Sequence, residues 1–199
     1  EYGLLGISFS VSARSKTTDG RYGIAVQQAY AGGPAGRAGL RSRDIITDVA
    51  GEPTPNADRL QLLVGQQPPG KSLQVSFERD GVQRTADVSL SKHYTLGQKI
   101  VTTPAPRWRG ILVDYATAVS QTDLERASRE GLIDPQGCVV VADVTPDSVS
   151  WEQGVRPGMF ISHVGGDRVS TPAEFWTAVE QADASVKVRF TQTLGEPNE

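Results

Sequence analysis

Alternation between apolar and polar positions dominates the first half of the chain. It recurs in short runs that read GISFSVS, GIAVQQA, DIITDVA, LQVSFERDG and RTADVSL. A period of two is typical of β-strands that bury one face. Asp80 and Gly81 stand between the last two runs, and an Asp-Gly pair in this position predicts a tight hairpin turn. The pattern therefore predicts antiparallel strands.

Two short helices are predicted between these strands. The segment PAGRAG begins with Pro34, which suits a first helical turn, and Gly39 lies just past its end. The segment NADRLQLLVG offers Asn56 as an N-cap, and Gly65 is expected to end it.

The same plan recurs later in the chain at an offset of 115 positions. Residues 38–51 (AGLRSRDIITDVAG) align with residues 153–166 (QGVRPGMFISHVGG). So long a period indicates two domains rather than stacked repeats. We predict a first domain over residues 1–92, a linker over 93–106 and a second domain over 107–199.

The second domain also carries an insertion at about 116–136. Its segment TDLERASREG predicts a helix that is capped by Thr122 or Asp123 and stopped by Gly131. The sequence leaves open whether this helix covers or extends the groove or lies on the surface in solvent.

The glycine-rich stretch YAGGPAGRAG raises the question of a phosphate-binding loop. Such a loop needs a substantial helix after it and a following Lys and Ser or Thr. Here the glycines lead into a short helix and no such pair follows. We therefore interpret Gly32 and Gly33 as turn residues.

Composition excludes several classes of protein. The 199 residues carry a net charge of −3 without a stripe of Lys or Arg, so a nucleic-acid partner is not expected. The apolar runs are too short to span a membrane. The chain begins at Glu1 without a methionine, so we expect it to be part of a longer protein.

The residues that carry catalytic or metal-binding chemistry are few. The single cysteine, Cys138, lies in an apolar strand pattern and is interpreted as a buried small residue. With His93 and His163 it does not make a zinc site. No serine lies in the turn that a trypsin-like nucleophile needs. We expect no catalytic residue, metal or cofactor in this chain.

The order of these elements resembles a PDZ domain, in the permuted form found in bacterial HtrA/Deg-type serine proteases. The stretch GPAGRAGLRSRDIITDVAGEP is similar to the family pattern SPAxxAGLxxGDxIxxxxG. The first copy departs from it at Arg43, where glycine is usual. The second copy keeps that glycine as Gly158 but has Met159 in place of the aspartate. The resemblance covers nearly the whole chain and is weaker in the second copy.

The resemblance implies a mainly β, or α+β, fold. Each of the two PDZ-like domains would be a partly open antiparallel barrel of five to six strands, capped by two short helices.

For the first domain the resemblance implies a peptide-binding groove. The stretch YGLLGISF is similar to the family's carboxylate-binding loop, whose N–H groups would converge on a peptide C-terminus. The residues implied for this loop are Leu4, Leu5, Gly6 and Ile7. The residues implied for the groove are Ser8, Phe9, Leu60, Leu63 and Val64. Leu60 and Val64 also fit the buried face of any amphipathic helix.

The second domain has RWRGILV at the corresponding place. Its candidate groove residues are Arg109, Gly110, Ile111, Val113, Phe175, Ala178 and Val179. Arg109 replaces an apolar residue, and it could pair with a ligand carboxylate, lie in solvent or contact the other domain. Phe175 and Trp176 add bulk that could fill the groove.

The resemblance thus implies a pair of PDZ domains that binds hydrophobic peptide ends or the C-termini of peptides and unfolded proteins. The pair would serve an attached or neighbouring protease domain in the bacterial periplasm or cell envelope. The parent protein could also form a homo-oligomer. Two alternatives remain: an assembly module that contacts subunits, and a PDZ pair from another envelope protease or secretion component.

Overall fold

The computed structural model describes residues 1–10, 12, 14–94, 105–183 and 185–191 of the chain. It divides into two compact units, Glu1–His93 and Tyr94–Glu199. Most of the predicted linker, 93–106, lies outside the described residues. No helix in the described part of the chain is long and apolar enough to cross a membrane.

The first unit contains short strands and two helices. Its strands are β1 (Gly3–Leu4), β2 (Ile7–Ser8), β3 (Arg14–Lys16), β4 (Tyr22–Ala25), β5 (Gln28–Ala29), β6 (Ile45–Val49), β7 (Glu52–Pro53), β8 (Ser72–Arg79), β9 (Val82–Ser89) and β10 (Ser91–Lys92). Its helices are α1 (Pro34–Arg37) and α2 (Ala57–Gly65).

These strands pair antiparallel throughout. The main sheet has the order β3-β4-β6-β8-β9, with β7 on β6, and two small ribbons pair β1 with β10 and β2 with β5. The predicted hairpin is confirmed, since Asp80 and Gly81 both have positive φ between β8 and β9. The predicted cap of α2 is also confirmed, because the Asn56 side chain accepts from the Arg59 N–H.

The second unit repeats this plan. Its elements are β11 (Ile111–Tyr115), α3 (Gln121–Arg129), β12 (Val139–Val144), α4 (Val149–Glu152), β13 (Phe160–Val164), β14 (Asp167–Arg168), α5 (Pro172–Gln181) and β15 (Val188–Phe190). The sheet order is β11-β12-β13-β14, and β15 pairs with β13. The predicted fold class, antiparallel β with short helices, is confirmed in both units.

The internal repeat is reproduced residue by residue. Helices α1 and α4 begin at Pro34 and Val149, and strands β6 and β13 begin at Ile45 and Phe160. Both pairs are 115 positions apart, as are the first residues of β7 and β14 and of α2 and α5. The offset found in the sequence is therefore the offset of the folded elements.

The helix in the insertion begins earlier than predicted. Its N-cap is Ser120, whose Oγ accepts from the Asp123 N–H, and not Thr122 or Asp123. One side of the helix packs on the unit, because Leu124 and Ala127 are buried in a small cluster with Val140, Phe160 and Cys138, and most of its other described residues are exposed.

This cluster lies on the face of the β12–β13 sheet opposite to α5. Val140 and Phe160 belong to this small cluster. Val139, Val141 and Ile161 alternate with them along the strands and pack in the other cluster, which contains residues of α5. The insertion helix therefore does not cover the space between β11 and α5. Burial on both faces explains the unbroken apolar run around Cys138, which is buried as predicted.

Candidate functional site

A cavity of about 470 Å³ opens in the first unit between helix α2 and the loop that joins β1 to β2. The loop side is lined by Tyr2, Leu4, Leu5, Gly6, Ile7 and Phe9. The opposite side is lined by Leu60, Gln61, Val64 and Gly65 of α2, and Gly3 and His93 complete the lining. Apart from Gln61 and the rim residues Tyr2 and His93, these side chains are apolar or absent.

Two hydrogen bonds fix the orientation of the β1–β2 loop. The Leu5 carbonyl accepts from the Ala35 N–H at 2.9 Å, and the Gly6 carbonyl accepts from the Tyr30 N–H at 3.0 Å. No peptide bond in the described residues is cis. In a trans peptide the N–H points opposite to the carbonyl. The N–H groups of Gly6 and Ile7 therefore point away from α1 and β5, towards the cavity that both residues line.

Gly6 is required by this geometry. Its φ is +74°, in the left-handed region that favours glycine. A Cβ at this position would lie 2.9 Å from Pro34 Cδ and 3.4 Å from Pro34 N. Any side chain here would strain the loop and collide with the start of α1, so a substitution at Gly6 would perturb folding as well as the cavity.

Strand β2 presents its free edge to the cavity. Ile7 lies opposite Ala29, and the Tyr30 N–H bonds the Gly6 carbonyl, which is the pattern of a non-hydrogen-bonded pair. The N–H and carbonyl of Ile7 thus face away from β5. An extended chain laid between β2 and α2 would meet these two groups.

The floor of the cavity belongs to the core of the first unit. Leu5, Leu60 and Val64 are 4%, 2% and 6% exposed, and all three pack in the main cluster. The sequence left open whether Leu60 and Val64 are core or groove residues. Both are core residues, and both have one surface on the cavity.

Two predicted groove residues lie elsewhere. Leu63 is partly buried against the core and is not among the lining residues. Ser8 also does not line it: its carbonyl accepts from the Gln27 N–H, on the β5 side of the strand. Ser8 and Leu63 are thus not among the residues that line this cavity.

Sequence reasoning missed five lining residues, Tyr2, Gly3, Gln61, Gly65 and His93. Gly65 was interpreted only as the end of α2, and a Cβ there would meet nothing within 4 Å. His93 was assigned to the linker, but its N–H donates to the Tyr2 carbonyl at 2.9 Å and so extends the β1–β10 pairing. Only the pairing of the unit's two ends, which no local motif encodes, brings His93 to the cavity.

The corresponding loop of the second unit has a different structure. Trp108 and Ile111 exchange two backbone hydrogen bonds, of 2.9 and 2.8 Å, across a tight turn. Both turn residues have positive φ, 50° for Arg109 and 90° for Gly110. The Ile111 N–H, which corresponds to that of Ile7, is therefore bonded to the chain's own Trp108 carbonyl.

The second unit's candidate groove residues are mostly in its core. Ile111, Val113, Phe175 and Ala178 are buried, and Val179 packs against them partly buried. The Trp108 ring makes an edge contact with Phe175, with centroids 6.0 Å apart. The Arg109 guanidinium lies over the Trp108 ring, 4.3 Å from its centroid. The bulky residues thus fill the space between β11 and α5.

The described residues contain no group of three or more His, Cys, Asp or Glu side chains that could hold a metal ion. His163 lies on β13 with its Nδ1 3.0 Å from Ser162 Oγ. Burial and the nearby Arg168 and Arg189 lower the pKa of His163.

The departure from the family pattern at Met159 can be compared with the aspartate that the first unit keeps. Asp44 is buried and accepts from the Arg41 N–H, and its carboxylate forms two 2.7 Å hydrogen bonds with Arg79. At the equivalent place in the second unit, Met159 Sδ accepts from the Arg156 N–H at 3.4 Å. The sulfur thus takes over one contact of the aspartate.

The antiparallel strands, the short α1 and the longer α2 beside a glycine-containing loop define the class of PDZ domains. The family model described as PDZ domain matches residues 3–90, and these residues belong to that family.

The chain is also similar to DegP-like serine endoproteases. It is 28% identical over 163 residues to the probable periplasmic serine endoprotease DegP-like of Ectopseudomonas mendocina (strain ymp), covering 82% of this chain and 34% of that protein. It is 27% identical over 170 residues to the protein of the same name from Rhizobium meliloti (strain 1021), covering 80% and 31%. The chain thus spans about a third of these relatives.

Among solved structures, the chain matches the HtrA-type protease AlgW with decapeptide, at 26% identity and a TM-score of 0.39, over 46% of this chain and 30% of that one. The alignments to the DegP-like proteins are longer than the first unit, so they extend into the second. The sequence-based recognition of an HtrA-type PDZ region is confirmed.

Proposed function

We propose that the first unit binds the C-terminal end of an extended peptide in the cavity between β2 and α2. The observation that carries this proposal is the orientation of the Gly6 and Ile7 N–H groups towards an apolar cavity. Converging N–H groups suit a carboxylate, and the apolar floor suits the last side chain of the peptide.

The edge of β2 supports the rest of the proposed interaction. A peptide that pairs with the N–H and carbonyl of Ile7 adds a strand to the β2–β5 ribbon. Alternate peptide side chains then face Leu60 and Val64 or solvent. Strand addition with one buried anchor gives affinity in the micromolar range, because ordering the peptide offsets much of the gain.

We further propose that the chain belongs to a DegP-like serine endoprotease of the periplasm or cell envelope, in which this unit recognises exposed peptide ends or uses them to regulate cleavage. The similarity to proteins of that name supports this proposal. Attachment to a protease domain and assembly into an oligomer follow from the same inference.

For the second unit we propose a packing or assembly role. The Trp108 carbonyl already accepts from the Ile111 N–H, and the Trp108 ring also contacts Phe175 of α5. Both the carboxylate position and the groove are thereby occupied by the unit's own residues. This observation favours the alternative of subunit contacts for this unit alone.

Gly65 allows peptide binding to be tested separately from folding. Truncating Leu60 or Val64 would cost about 2–5 kcal/mol of stability, because both are core residues. Gly65 lines the cavity, lies in α2 without positive φ and has open space where a Cβ would be. A Gly65→Leu change should fill part of the cavity while helix propensity raises stability by roughly 0.5–1 kcal/mol.

The test titrates the full chain with fluorescein-labelled Gly-Ser octapeptides that end in Val-Val, Val-Leu or Val-Phe. Each peptide is used with a free carboxylate and as the amide, and a melting curve is recorded for every variant. We expect the free carboxylate to bind at least about tenfold more tightly than the amide, and Gly65→Leu to lose at least about tenfold, or about 1.4 kcal/mol.

Gly65→Ala is the matched control, since it makes the same backbone change with little added volume. It should keep most of the affinity and melt like Gly65→Leu. Equal binding of acid and amide, or full affinity in Gly65→Leu, would contradict the proposed site.

A further inference from the structure

We propose that Met159 is a site of reversible oxidation, at which conversion of the thioether to the sulfoxide stabilises the second unit. The inference concerns a turn of the second unit and does not depend on peptide binding by the first. In this turn, just before β13, Met159 has the place that Asp44 has before β6 in the first unit.

The two turns have the same backbone hydrogen bond. The Asp44 N–H donates to the Arg41 carbonyl, and the Met159 N–H donates to the Arg156 carbonyl, both at 3.3 Å. Because this bond sets the backbone of the turn, the side chains of Asp44 and Met159 start from equivalent places. Each of them returns to the backbone N–H of the first turn residue, Arg41 or Arg156.

The two side chains differ in the atom that accepts this N–H. Asp44 Oδ2 accepts from the Arg41 N–H at 2.7 Å, whereas Met159 Sδ accepts from the Arg156 N–H at 3.4 Å. A thioether sulfur is a weak acceptor. The first unit therefore shows that this turn suits an oxygen acceptor, and the second unit has a weaker acceptor in its place.

Oxidation would supply the missing oxygen. A sulfoxide is polar, and the three rotatable bonds of methionine let its oxygen move to the position that the carboxylate oxygen has in the first unit. Sulfoxides usually disrupt apolar cores because the new oxygen has no donor there. At Met159 the Arg156 N–H is already directed at the side chain, so the oxygen has a donor.

Met159 is accessible to an oxidant. It is partly exposed, and Arg156, Pro157 and Gly158, which precede it, are exposed. Hydrogen peroxide is the oxidant that we invoke. A lone pair of the sulfur forms the new S–O bond, the O–O bond breaks, and the second oxygen leaves as water with both protons. The sulfur is oxidised by two electrons, and methionine sulfoxide reductases reverse the change.

The experiment treats the folded full chain with hydrogen peroxide and follows urea unfolding by tryptophan fluorescence, since all three tryptophans lie in the second unit. Met159 is the only methionine, so the gain of one oxygen by its tryptic peptide measures the site directly. We expect the folded chain to be oxidised at a rate within about tenfold of the rate in urea. The urea midpoint should rise by about 0.5–1 M, because an oxygen acceptor replaces a sulfur. Reduction by the two epimer-specific reductases together should restore the original midpoint.

Met159→Leu is the matched control, because it conserves an apolar side chain of similar volume and lacks the sulfur. Its midpoint should not respond to peroxide. Met159→Gln supplies an amide oxygen without oxidation and should unfold near the midpoint of the oxidised native chain.

Several results would overturn the inference. It fails if Met159 is not oxidised in the folded chain, or if oxidation lowers the midpoint or leaves it unchanged. It also fails if peroxide shifts Met159→Leu as much as the native chain, or if Met159→Gln is less stable than the native chain. The first unit contains no methionine, so a change in its own transition, followed by circular dichroism, would assign the effect to another residue.

Discussion

Exchanging one glycine between the two units should change their stabilities in opposite directions. Arg43 and Gly158 occupy equivalent positions, with φ of 73° and 88°. Each N–H donates a 2.8 Å hydrogen bond, that of Arg43 to the Val26 carbonyl just after β4 and that of Gly158 to the Val141 carbonyl in β12. At this position only the first unit has a residue with a Cβ.

The magnitude follows from the backbone alone. The left-handed conformation costs a residue other than glycine about 1–2 kcal/mol. Glycine loses roughly 0.5–1 kcal/mol more in chain entropy on folding. Arg43 is exposed, and its side chain forms no hydrogen bond or ion pair with a described residue. Arg43→Gly should therefore stabilise the first unit by roughly 0.5–1 kcal/mol.

Gly158→Arg should destabilise the second unit by the same amount. A Cβ at Gly158 would meet nothing within 4 Å, so the cost is conformational and not steric. The two changes are matched controls for each other, since they reverse the same substitution at equivalent sites.

The assay uses the distribution of tryptophan. All three tryptophans, Trp108, Trp151 and Trp176, lie in the second unit. Urea unfolding followed by tryptophan fluorescence therefore reports the second unit, while circular dichroism reports both. With a slope of about 1 kcal/mol/M, each change should move its own midpoint by about 0.5–1 M and leave the other unchanged.

Two results would refute this reasoning. A lowered midpoint for Arg43→Gly would mean that the arginine side chain stabilises the unit through contacts and outweighs its backbone strain. A shift of both transitions by either change would mean that the units do not unfold independently, which would contradict the predicted division at the linker.

Two further predictions concern ion pairs. Asp44→Asn should destabilise the first unit by about 2–4 kcal/mol in urea unfolding followed by circular dichroism, because it leaves Arg79 without its buried partner; an effect below 1 kcal/mol would contradict this. In the second unit, burial raises the pKa of Asp134, but hydrogen bonds from Arg168 and the Gln136 N–H outweigh it and lower the pKa overall. The stabilisation of the second unit by the Asp134–Arg168 pair should be present above about pH 4 and lost as the pH falls through the lowered pKa. Asp134→Asn should remove this part of the pH dependence of unfolding, as followed by tryptophan fluorescence. An identical pH profile for the variant would show that the pair contributes nothing.

The elements could be predicted from the sequence wherever a local signal encodes them. The Asp80–Gly81 hairpin and the Asn56 cap depend on a few adjacent residues, and both were found. The offset of 115 was visible because the glycines and apolar positions of both units occupy the same turns and strands.

The missed features depend on distant parts of the chain. His93 reaches the cavity because β10 pairs with β1, a contact between the two ends of the unit. Leu63 and Leu60 look alike in sequence, and only the rotation of α2 on the sheet decides which of them lines the cavity. The predicted N-cap of α3, Thr122 or Asp123, was wrong, since the N-cap is Ser120. The sequence could not distinguish these residues, because all three are good capping residues.

The difference in proposed function between the two units can be traced to one peptide N–H. The Gly6 carbonyl accepts from the Tyr30 N–H, and the Gly110 carbonyl accepts from the Thr145 N–H, so equivalent bonds orient the following N–H in both loops. In the first unit, Leu4 pairs with Ser91 of β10.

In the second unit the residue equivalent to Leu4 is Trp108, and it folds back onto Ile111. Its carbonyl accepts from the Ile111 N–H, as a ligand carboxylate would from the N–H of Ile7. An N–H that is already satisfied offers a ligand no net gain, since an existing hydrogen bond must first be broken. Because the partner of a single residue decides this, two loops with the same Gly-Ile pair can differ in their capacity to bind a peptide end.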